Sequence, residues 1–140
     1  VPSMLNYQIH FDKDSMFNTP PVFSVYACML SLKWLEKKGG IDVVESLNRK
    51  KSELLYKEID NDDIFNGFAN VDDRSLMNVT FNLYDKKNKD VFDKMLIENN
   101  ISGLNGHRSV GGYRASIYNA MDISSVELLI DTIRKFKNYI

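Results

Sequence analysis

Met77-Asn78-Val79-Thr80-Phe81-Asn82-Leu83 alternates apolar with polar residues, the period-two pattern of a strand that buries one face. Beyond it, Val91, Phe92, Met95 and Leu96 recur at helical spacing, and Asn99-Asn100 marks that helix's end. Residues 101–104 and 113–118 read as two further extended segments separated by a glycine-bearing loop. Ser124 with Glu127 forms a capping-box pattern that predicts a last helix. Its apolar stripe is Val126, Leu129, Ile130, Ile133 and Phe136. The run is β-α-β-β-α. A short link between its second and third strands favours antiparallel pairing, with helices covering one face. This is an α+β layer.

Working outward toward the N-terminus, the acidic stretch Asp60-Asn61-Asp62-Asp63 reads as a turn. Before it, Val44, Leu47, Leu54 and Leu55 line one face of a helix predicted over 41–59. Glu45 with Arg49 and Glu53 with Lys57 are i,i+4 pairs on its solvent side. Gly39-Gly40 ends a preceding helix that Pro20-Pro21 starts, Pro21 suiting a first helical position where no N–H is needed. That helix is apolar on too many sides for a small sheet alone, which predicts packing against another domain or subunit. Residues 1–19 show no sustained period and read as irregular or short extended structure. Val1 reads as a cut end inside a longer polypeptide, with a processed mature protein as the alternative.

In 140 residues, 18 Lys plus Arg face 19 Asp plus Glu, a net charge of −1. That balance argues against a nucleic-acid module, whose affinity comes mainly from neutralising phosphates. The lone Cys28 excludes an internal disulfide framework and points to a reducing compartment. The longest apolar stretch, residues 22–35, is interrupted by Ser24, Ser31 and Lys33, and falls short of the roughly 20 apolar residues a membrane span needs. A cytoplasmic location is the expectation.

Two segments could carry chemistry. Gly103-Leu104-Asn105-Gly106-His107-Arg108-Ser109-Val110-Gly111-Gly112-Tyr113-Arg114 gathers His107, Arg108 and Arg114 within eight residues, amid glycines that let a ligand approach the backbone. Arginine's planar fork matches carboxylate or phosphate, and histidine adds a donor. Pattern alone leaves this loop open between an anion site and a flexible hairpin with solvated charges. Ser15-Met16-Phe17-Asn18-Thr19-Pro20-Pro21 sets Asn18 and Thr19 before a helix start, where they could cap free N–H groups or meet an anion. His10 lacks a second metal ligand at suitable spacing and reads as structural. Trp34 reads as core or interface.

These two segments, with Gly106-His107-Arg108-Ser109-Val110-Gly111-Gly112-Tyr113-Arg114-Ala115-Ser116-Ile117-Tyr118-Asn119-Ala120 read in full, closely resemble the phosphoserine aminotransferase family. The resemblance continues through Pro2-Ser3-Met4-Leu5, Leu32-Lys33-Trp34-Leu35 and Arg74-Ser75-Leu76-Met77-Asn78-Val79. It implies the C-terminal part of a homodimeric, pyridoxal-phosphate-dependent transaminase of fold type I. Residues 1–38 would then be the end of the large domain with its connecting helix, and 39–140 the small domain. The implied reaction moves an amino group between glutamate and 3-phosphohydroxypyruvate in serine biosynthesis. A related substrate of vitamin B6 synthesis, phosphohydroxythreonine, is also allowed. By the same resemblance Arg114 would hold the substrate α-carboxylate, and His107 and Arg108 the anionic far end. Asn18 and Thr19 would reach the cofactor phosphate of the neighbouring subunit's site. The family's Schiff-base lysine would lie upstream of Val1, and no lysine here matches its motif. The alternative is a non-catalytic anion-binding or dimerisation module that keeps the fold.

Overall fold

The computed structural model describes residues 1–61 and 63–140. Asp62, in the predicted acidic turn, lies outside the described residues. The chain divides into two compact units, Val1–Ile41 and Asp42–Ile140.

In the first unit, Tyr7–Asp12 forms a short helix, α1, where the sequence suggested irregular structure. Local polar contacts explain it. The Asn6 side chain accepts from the Gln8 N–H at 3.0 Å, and Gln8 donates to Asp12 one turn later at 2.8 Å. The main helix, α2, spans Val22–Lys37. Pro21 is its N-cap rather than its first residue. Gly39 and Gly40 follow α2 with φ of +106° and +82°, a backbone turn that side-chain-bearing residues resist. None of the α2 residues is buried, and Phe23 is 83% exposed.

The second unit is built on a three-stranded antiparallel sheet, β1 (Phe65–Gly67), β2 (Asn78–Leu83) and β3 (Tyr113–Ser116), with β2 in the centre. Its helices are α3 (Gly40–Ile59, beginning just before the unit boundary), α4 (Lys89–Glu98) and α5 (Ile123–Tyr139). In β2 the residues Val79, Phe81 and Leu83 are buried and their neighbours are half-buried, as the alternation requires. These side chains share one core with Phe65, Tyr113 and Ala115 of the flanking strands and with residues of all three helices. At its centre the Phe65 ring lies 5.2 Å from Phe92 and 5.7 Å from Phe136, joining β1, α4 and α5. The predicted stripe of α5 is buried throughout.

Four sequence readings need correction. Residues 101–104 form no strand: among the described residues their one main-chain bond to β3 is Arg114 N–H to Leu104 O at 2.6 Å, beside a single bridge between Asn105 and Tyr113. The third strand is instead β1, whose three residues are too few for a visible alternation. The capping box also fails, because α5 begins at Ile123 with Asp122 as N-cap and no side-chain cap bond. On α3 the buried stripe includes Val44 and Leu55 but also Asn48 and Lys51, whereas Leu47 is exposed. Lys51, only 2% exposed, donates to the carbonyls of Ile117, Tyr118 and Met121 at 2.8–3.1 Å. Burial lowers its pKa from the usual 10.5, and Asp122 opposes that shift. Glu45 and Arg49 pair as predicted; among the described residues Glu53 and Lys57 form no ion pair.

Candidate functional site

The sheet has a second face, turned away from the helices. Because Tyr113 and Ala115 point into the core, Arg114 between them must point outward. Its partner across the ladder is Thr80, and Asn78 and Asn82 share the polar phase of β2. The loop before β3 is closed by the Asn105–Tyr113 bridge and by Gly106 N–H donating to Gly112 O at 2.9 Å. Within it, Val110 and Gly111 N–H both donate to His107 O, at 2.9 and 2.7 Å. The tight turn therefore begins at His107.

Glycine is required at two positions of this closure. A Cβ on Gly106 would stand 1.9 Å from Gly111 O, so the strands of the loop could not close. Gly112, at φ +67°, faces the Asn82 side chain with the same intolerance.

Between loop and sheet lies a cavity of about 230 Å³, bordered by Phe68, Thr80, Asn82, His107, Val110 and Arg114. A second cavity, of about 520 Å³, runs along residues 100–104 and the start of α5 and also borders Arg114. The structure thus brings His107 and Arg114 to one cavity. Arg108 is exposed on the same turn but does not line it. Neither arginine is ion-paired among the described residues, so both forks are available to an external anion.

Beneath the site, the Tyr113 hydroxyl donates to Asp93 Oδ1 at 2.7 Å while its ring stacks on Phe81 at 5.3 Å. Burial, followed by the Asp93 bond and charge, pushes the Tyr113 pKa well above the usual 10.0. Asp93 also pairs with Lys89 one turn earlier on α4, so it is the Tyr113–Asp93 bond that ties β3 to α4.

Asn18 and Thr19 belong to the first unit, are exposed, and do not cap α2, whose N-terminus has no side-chain cap bond. The capping alternative for them is therefore not realised. His10 Nε2–H donates to Met4 O at 2.9 Å and its ring meets Phe17 edge-on, the structural role expected of it. Among the described residues no group of three His, Cys, Asp or Glu side chains could hold a metal, and no helix is long and apolar enough to cross a membrane. The sequence reading missed Phe68, Thr80 and Asn82. The last two were detectable, since they occupy the polar phase of β2 that must share a sheet face with Arg114.

The family model for class-V aminotransferases matches residues 1–129. The phosphoserine aminotransferase of Flavobacterium psychrophilum is 51% identical over 140 residues, and that of Flavobacterium johnsoniae 54% over 138. The matches cover 100% and 99% of this chain, but 39% of each relative, so the chain spans about two-fifths of their length. Among solved structures, phosphoserine aminotransferase from Bacillus circulans subsp. alkalophilus superposes with a TM-score of 0.87 at 41% identity, covering 99% of this chain and 39% of that one. A pyridoxal-phosphate-bound phosphoserine aminotransferase from Trichomonas vaginalis gives 0.81 at 32%, covering 96% and 39%. With the match spanning both units, this chain belongs to the class-V aminotransferase family.

Proposed function

We propose that this chain is the C-terminal part of a cytoplasmic, homodimeric phosphoserine aminotransferase. The full-length enzyme exchanges an amino group between glutamate and 3-phosphohydroxypyruvate. Residues 1–38 end the large domain and 39–140 form the small one. Arg114 clamps the α-carboxylate common to both amino acids, while His107 and Arg108 bind the distal phosphate or carboxylate. A substrate with an anion at each end needs two separated cationic groups. The observation that carries the reading is the cavity that Arg114 and His107 share on the polar sheet face, together with the unpaired Arg114 fork.

Pyridoxal phosphate, when bound, supplies the electron sink for transamination. The first unit fits its phosphate in chemistry: Asn18 and Thr19 are exposed polar groups before a helix whose first turn lacks a side-chain cap. In our reading they serve the neighbouring subunit's site. The exposed apolar side chains of α2, Phe23 among them, favour burial against that subunit or the upstream domain. No lysine of this chain anchors the cofactor in our reading. Lys51, the buried one, already gives its ammonium to three carbonyls.

The test is an assay of the full-length protein with phosphoserine and 2-oxoglutarate. Glutamate formation that depends on pyridoxal phosphate supports the proposal. Binding of the cofactor or of phosphate without turnover would favour a non-catalytic module.

A further inference from the structure

His107 meets Ser109 in a way the family reading leaves unused. The Ser109 main-chain N–H points at His107 Nδ1 at 3.3 Å, and Ser109 Oγ lies 2.8 Å from the same nitrogen. A neutral imidazole carries one N–H and one lone pair, and an amide N–H can only donate. Nδ1 must then be the acceptor, which leaves the proton on Nε2. We infer that Ser109 is the positioning residue of His107, holding the ring so that Nε2–H is the group offered to the phosphomonoester of the substrate.

The hydroxyl, 2.8 Å from Nδ1, places its hydrogen on the same lone pair beside the amide N–H. Nε2 then presents its hydrogen to an acceptor-only anion. The His107 main chain is also fixed by its own turn, since Val110 and Gly111 N–H both bind His107 O. Ordering before substrate arrives lowers the entropic cost of binding. No other side chain makes a hydrogen bond to His107 among the described residues.

The inference rests on the reading of His107 as a distal-anion ligand, and a double-mutant cycle separates the two. In the full-length enzyme, Ser109→Ala is expected to raise KM for phosphoserine about fivefold, the equivalent of one hydrogen bond, with kcat within about twofold. Ser109→Thr keeps the hydroxyl and should restore KM. Adding Ser109→Ala to His107→Ala should change nothing further. In Ser109→Ala, turnover of alanine, which has no distal anion, should fall less than that of phosphoserine. An undiminished Ser109→Ala effect in the His107→Ala background would overturn the inference, as would equal losses with phosphoserine and alanine. So would an unchanged KM in Ser109→Ala when His107→Ala raises it. An unchanged KM in His107→Ala itself would remove the reading of the site, and the inference with it.

Discussion

Gly112 packs so closely on Asn82 that a methyl group at Gly112 would lie 2.1 Å from Asn82 Oδ1 and 2.9 Å from Phe81 O. This contact seats the His107 loop on the central strand. It makes loop position a property of the sheet rather than of the loop alone.

Gly112→Ala should therefore destabilise the protein by more than the about 1–2 kcal/mol that a left-handed backbone costs an L-residue. Gly111 is the control: its φ is +77°, but a Cβ there would meet nothing within 4 Å. Urea unfolding of the two variants should show the larger loss at Gly112. KM for phosphoserine should rise only in Gly112→Ala. Equal losses would mean that conformation, not the Asn82 contact, sets the requirement.

Tyr113→Phe should cost about 0.5–1.5 kcal/mol at neutral pH through the lost bond to Asp93. Its alkaline signature is more specific. The folded-state phenol is raised above its ordinary 10.0. The unfolded chain thus releases this proton above pH 10 while the folded chain keeps it. The stabilisation is complete below pH 10 and is lost as pH rises further. Stability measured by denaturant across pH 9–11 should fall more steeply for wild type than for Tyr113→Phe. Parallel curves would contradict the shift.

Local signals carried most of the second unit. The alternation in 77–83 and the stripe of α5 were legible because each face is buried by many residues in register. Strand β1 was not, since Phe65, Asn66 and Gly67 offer one inward residue with a secure phase. The run 101–104 misled because apolar residues there pack on the core without a ladder, with Asn100 and Gly103 turning the backbone at φ +58° and +76°. Ser124 and Glu127 matched a cap pattern, yet the helix begins after Asp122. In the candidate site, His107, Arg108 and Arg114 stood out by composition. The pairing of Arg114 with Thr80 is a long-range register, which no local pattern encodes.

Arg108→Ala in the full-length enzyme should lower kcat/KM for phosphoserine by about tenfold or more, as the loss of a charge-assisted bond does. Alanine turnover should change little. Equal losses for the two substrates would assign Arg108 to the fold or to the α-carboxylate.

The 140-residue chain by itself should take up no pyridoxal phosphate at a defined lysine and should not transaminate. Incubation with the cofactor, borohydride reduction and mass-spectrometric mapping should find only scattered, substoichiometric labelling. One stoichiometrically labelled lysine with glutamate-dependent turnover would mean that the chain holds a complete site.

The central claim is that Arg114 grips the α-carboxylate shared by both substrates, and Arg114→Lys tests it most directly. Lysine keeps the charge but loses the planar two-pronged donor. Measured in the full-length enzyme, kcat/KM should fall for glutamate and for phosphoserine alike, each by an amount equivalent to about 1.5–3 kcal/mol. Unchanged kcat/KM for both substrates would contradict the account.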